Sequence, residues 1–155
     1  MAPDPNCERC GETETMEHLL YECDHYSAPL WAEVGATLTA TFRHKTGVFA
    51  SRIDLTPKEI IYNVPHRSIQ LYITDKTSRL ALIALVHEIK RDILYRRMNI
   101  TTPLAEPVPA IRIQSHIIAN ITKLKSMLEY QGKTNNNESL ALLNMMIEQQ
   151  QIRIV

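Results

Sequence analysis

CERCGETETMEHLLYEC, residues 7–23, sets three cysteines and one histidine in the spacing Cys7-x2-Cys10-x7-His18-x4-Cys23. Two cysteines separated by two residues place both thiols on one turn, and Gly11 directly after them can take the positive φ that closes it. From Thr13, a candidate cap, Met16, Leu19 and Leu20 recur at helical intervals through His18 to about Cys23, so a short helix carries the second pair of donors back to the first. Three thiolates and one imidazole fill a tetrahedral shell, the arrangement that suits zinc. With every position taken by protein there is no place for a reactive water, and the ion is structural. An iron–sulfur cluster ordinarily takes four thiolates, one more than this chain offers. The plainer reading, with Cys7 and Cys10 incidental and His18 on a helix surface, is outweighed because every cysteine of the chain sits at ligand spacing. The spacing also carries a geometric demand. Residues five apart on a regular helix point about 140° away from each other, so Cys23 must lie where the helix unwinds, near Asp24 to Ser27. His25 is an alternative ligand that ranks below Cys23.

Outward from this segment the pattern stays helical, and the fold class is mostly α: a small N-terminal zinc knuckle followed by a helical, bundle-like extension. A helix beginning near Ser27, with Pro29 in its first turn, buries Leu30, Trp31, Val34 and Leu38 and ends near Phe42. Residues 43–74 read as irregular, apart from Thr56-Pro57-Lys58-Glu59, where a cap, a proline and a capping-box acid open one short helix through Ile61. Asn63 to Ser68, with Pro65, interrupts it. The clearest helix runs from Asp75 or Thr77 to about Met98, with Leu82, Val86, Ile89 and Ile93 on one face. A further helix ending around Gly132 carries Ile113, Ile117, Ile121, Leu124 and Leu128. A last one, capped near Asn137 after a polar turn from Lys133, carries Leu140, Leu143, Met146 and Ile147. The chain divides into a zinc-binding module (1–26), a helical segment with an irregular middle and a basic helix (27–100), a proline-containing linker (101–109) and a C-terminal helical hairpin (110–155). That hairpin is a core element or a dimerising pair, and the oligomeric state stays open.

With 45% apolar residues and only 4 Gly and 8 Pro in 155, ordinary globular packing is expected. An odd number of cysteines cannot pair fully within the chain, which fits a reducing, intracellular setting, nuclear or cytoplasmic. The N-terminus has no basic stretch followed by an apolar run, so it reads as no secretory signal. Leu80 to Val86, the longest apolar run near the middle, is too short to span a bilayer, and a membrane partner is not expected. Net charge is zero, yet residues 1–26 hold seven acids against Arg9 alone, while residues 43–98 hold eleven Lys or Arg against five acids.

The motif of residues 7–23, followed closely by Pro29-Leu30-Trp31, resembles the zinc-binding segment at the C-terminal end of non-LTR (LINE-type) retrotransposon polyproteins, downstream of the reverse transcriptase and often of an RNase H domain. The specific likeness covers residues 7–31. A weaker one extends to the helix ending IKRDILYRRM, residues 89–98, which is similar to the tails of some fungal elements. The resemblance implies that Cys7, Cys10, His18 and Cys23 are zinc ligands. It also implies contact with element RNA or target DNA and with adjacent reverse transcriptase or RNase H domains. No Tyr-x-Asp-Asp polymerase motif and no evident set of nuclease acids occurs here, so the expected role is a non-enzymatic tail. The alternative is a zinc-stabilised helical protein-interaction domain with no nucleic-acid role.

A nucleic-acid surface needs cations, and aromatic faces for stacking. The knuckle is strongly acidic, and three thiolates on a divalent ion add a further negative charge, so the candidate surface is the basic helix end: Lys90, Arg91, Tyr95, Arg96 and Arg97, with Arg43, Lys45 and Arg52 as possible neighbours. The commoner reading of such a run is a solvated face, with cations favoured at a helix C-terminus by its dipole. Trp31 lies on an apolar stripe and reads as core. His44, His66, His87 and His116 have no carboxylate or cysteine at a telling distance and carry no catalytic assignment.

Overall fold

The longest apolar stripes of the sequence become four helices: α1 (Ser27–Thr46), α4 (Lys76–Asn99), α5 (Ala110–Tyr130) and α6 (Asn137–Arg153), with two short ones, α2 (Pro57–Ile60) and α3 (Arg67–Tyr72), between α1 and α4. The computed structural model describes residues 6–7, 11–47, 51–99, 110–130 and 137–153, with no strand among them. Cys10, the 101–109 linker and the polar turn from Lys133 lie outside the described residues, as does the side chain of Arg97. The architecture is mostly α.

Leu30, Trp31, Val34, Leu38 and Phe42 of α1 are all buried, as are Leu82, Leu85, Ile89 and Ile93 of α4. Ile113, Ile117, Ile121 and Leu124 of α5, and Leu142, Leu143 and Met146 of α6, complete the helical faces. Residues from 1–26, 27–100 and 110–155 enter one hydrophobic cluster, since Leu20 and Tyr26 join these helices in it. Each fully buried side chain of this kind contributes about 1.5–3 kcal/mol through removal of apolar surface from water. α6 packs on α5 and α1, and α5 packs on α4, which closes the helices around that core.

Between α1 and α4 the chain is less irregular than its sequence suggests. α1 runs one turn past Phe42, and Arg43 and Lys45 fall in its last turn, where the helix dipole favours them. Thr56 and Glu59 form the expected capping box, with the Thr56 amide donating to Glu59 Oε2 at 2.7 Å. α3 has no counterpart in the sequence reading: six residues are too few for a 3.6-residue stripe to register. It is capped by His66, whose Nδ1 accepts from the Ser68 amide at 3.1 Å. Asp75 opens α4 by accepting from the Ser78 amide (2.8 Å) and hydroxyl (2.7 Å).

Residues 51–56 cross α1 closely. Thr39 Oγ1 accepts from the Ile53 amide at 2.9 Å, and a Cβ placed on Gly35 would lie 2.5 Å from the Ile53 carbonyl oxygen. Gly35 is therefore required by the approach of one backbone to another, and not by its own dihedral angles.

Candidate metal centre

The first cysteine sits in a closed loop. Gly11, with φ +81°, donates its amide to the Cys7 carbonyl at 2.9 Å, the Cys7 amide donates to Glu12 O at 2.6 Å, and Asn6 pairs with Thr13 across it. Thr13 is thus part of the loop, and the cap of the following turn is Thr15, whose Oγ1 accepts from the His18 amide at 3.0 Å. A cap further along leaves room for the loop to close first.

The five-residue step from His18 to Cys23 is accommodated by a π-turn. Over His18–Glu22 the backbone is a π-helix, closed by the Cys23 amide donating to the His18 carbonyl at 2.9 Å, and Cys23 itself is extended. An i→i+5 closure widens the turn so that it holds more residues than the 3.6 of a regular helix, which removes most of the divergence between His18 and Cys23. Ligand atoms of Cys7, His18 and Cys23 consequently lie within 4.8 Å of one another, all three residues being more than nine-tenths buried. The two sulfurs are 3.9 Å apart. That is far outside disulfide bonding, and close to the edge of about 3.8 Å that a tetrahedral site with metal–sulfur bonds near 2.3 Å requires.

This group can hold a metal ion. His25, the alternative to Cys23, is not among its members, and its Nδ1 is buried without a hydrogen-bond partner. The surroundings are anionic, since Glu12, Glu17, Glu22 and Asp24 are exposed around the centre.

Tyr26 and Trp31 tie the segment to the helices. The Tyr26 hydroxyl is hydrogen-bonded to His116 Nδ1 of α5 at 2.6 Å, with the two rings edge to face, and the Trp31 indole N–H donates to the Leu20 carbonyl at 2.6 Å. Two of the histidines without a sequence assignment, His66 and His116, are therefore structural partners. Nothing local in the sequence signals either role, because one serves a helix that the periodicity misses and the other a residue 90 positions away.

The cations proposed for nucleic acid are divided by the fold. Lys90 turns toward the loop before α3, donating to Asn63 Oδ1 at 2.7 Å, and desolvation lowers its pKa. Arg91 pairs with Glu88 (3.1 Å) and Arg96 with Asp92 (3.1 Å), beside a groove between α4 and α5 that Tyr95, Ala119, Asn120 and Lys123 also line. Lys123 donates to Glu88 at 2.9 Å, and that bond, ahead of the Coulombic attraction of the same lysine, holds the Glu88 carboxyl below its ordinary pKa. Tyr95 is two-thirds exposed. Asn120 and Lys123 could not be found from sequence, since the register of α5 against α4 is a tertiary property.

No helix among the described residues is long and apolar enough to cross a membrane. Compared with family models, with curated proteins and with solved structures, the chain matches none.

Proposed function

We propose that this chain is a zinc-braced, non-catalytic helical module, the tail of a LINE-type reverse-transcriptase polyprotein, and that it braces the domains beside it. The observation that carries the reading is the convergence of Cys7, His18 and Cys23 on one buried point with a sulfur–sulfur separation suited to tetrahedral thiolate ligation. Zinc is the ion that best matches thiolates plus imidazole, and Cys10 supplies the fourth ligand. When bound, the ion contributes folding energy and no reactive water. Charge favours the bracing role: the anionic surface around the centre disfavours phosphate, and Arg91 and Arg96 are already engaged by carboxylates. Metal analysis of protein purified under reducing conditions tests this. One zinc per chain is expected, lost in Cys7→Ser and His18→Ala. A chain that takes up no zinc contradicts the proposal.

RNA or DNA binding is the second reading, supported by one feature: α4 and α5 together carry nine Lys or Arg against three acids, with Tyr95 exposed at their groove. Binding of single-stranded RNA and of duplex DNA, measured across a salt series, decides between the two. Affinity that falls with salt and drops when Lys90, Arg91, Arg96 and Arg97 are changed to Ala supports nucleic acid. No binding by the zinc-loaded chain leaves a protein-facing role.

A further inference from the structure

The π-turn that aligns His18 with Cys23 ends in carbonyls that the helix ladder does not reach. Its last bond runs from the Cys23 amide to His18 O, so the oxygens of Leu19 and Leu20 lie beyond it. Both are taken by side chains of α1: Ser27 Oγ donates to Leu19 O, and Trp31 Nε1 donates to Leu20 O. Ser27 and Trp31 are fully or almost fully buried. The Cys23 carbonyl is fixed from the same side, accepting from the Tyr26 amide (3.2 Å) and the Ala28 amide (3.0 Å).

We infer that Ser27 and Trp31 are positioning residues of the metal centre, holding the π-turn in the form that points His18 and Cys23 at a common ion. The inference rests on the zinc reading above and deepens it. A π-turn is rare on its own, and one that existed only while metal bound would charge its formation against the binding energy. Here the freed carbonyls have donors supplied by a long, packed helix. α1 therefore prepares two of the ligands before the ion arrives, and groups of this outer kind tune metal affinity without touching the metal.

The test is zinc affinity of the full chain, measured under reducing conditions by competition with a chromophoric chelator. Ser27→Ala removes the hydroxyl without adding volume and is expected to weaken zinc binding by about tenfold. Thr41→Val is the control. It deletes another fully buried α1 hydroxyl, one that donates to Thr37 O at 2.7 Å, about 21 Å further along the helix at 1.5 Å per residue, and its affinity should equal that of the unmodified chain. Trp31→Phe removes the second donor and should weaken binding in the same direction. If Trp31→Phe does not fold, the comparison of Ser27→Ala with Thr41→Val stands by itself. Ser27→Ala binding zinc as tightly as the unmodified chain overturns the positioning role and leaves the zinc reading intact. An equal loss in Thr41→Val also overturns it, since general destabilisation then accounts for both. No zinc uptake by the unmodified chain overturns the centre and its positioning residues together.

Discussion

Glu88 is a nine-tenths buried carboxylate that joins two helices: it accepts from Lys123 of α5 and pairs with Arg91 one turn along α4. Its lowered pKa means that the folded chain holds the charged form more tightly than the unfolded chain does. The stabilisation is therefore complete above the ordinary glutamate value of 4.5 and is lost as pH falls through the lower folded value. Glu88→Gln should cost about 1 kcal/mol at pH 7, a modest figure because Lys123 is more than half exposed to solvent. Urea melts of the metal-free protein should show the gap between the two chains narrowing as pH falls below 4.5. A gap that does not change with pH would mean that Glu88 acts through packing alone. The Lys90 ammonium is partly desolvated, which lowers its pKa, and it donates to Asn63 Oδ1.

At the scale of elements, the crossing of α1 by residues 51–56 depends on an absent side chain. Gly35→Ala gains helix propensity of roughly 1 kcal/mol, yet its methyl would meet the Ile53 carbonyl, which is backbone and yields only if the whole segment moves. The net effect is expected to be destabilising by about 1–3 kcal/mol, read from denaturant midpoints. A stabilised variant would show that the 51–56 segment shifts freely. How far elements can be read from sequence also divides here. α1, α4, α5 and α6 follow from stripes of apolar residues long enough to repeat several times, and α2 follows from its Thr56/Glu59 capping box. α3 is invisible because it has too few turns to show a period, and its cap is a histidine instead of a hydroxyl or carboxylate residue. The π-turn was legible only as a problem: the five-residue step demanded a departure from the regular helix without saying which.

For the whole molecule, the segment that bears the candidate metal centre shares a core with the helices, since Leu20 and Tyr26 are buried with α1, α4, α5 and α6 and Tyr26 bonds to His116. Stripping zinc with a chelator, or changing His18 to Ala, should leave most helical circular dichroism at 25 °C. The thermal midpoint should fall by roughly 5–10 °C, the shift that a few kcal/mol of ligand-linked stability produces in a chain of this size. Complete loss of helicity would mean that the long helices cannot pack without the ion. The mostly α class, the course of the long helices and three donors that can hold a metal, Cys7, His18 and Cys23, were legible in the sequence, because apolar periodicity and donor spacing are local properties that 3.6 residues per turn converts directly into faces. Tertiary packing was needed to show that the step from His18 to Cys23 is spanned by a π-turn, that Ser27 and Trp31 donate to its carbonyls, and that Lys123 of α5 reaches Glu88 of α4. These depend on which distant groups meet when helices pack, and no spacing along the chain encodes that.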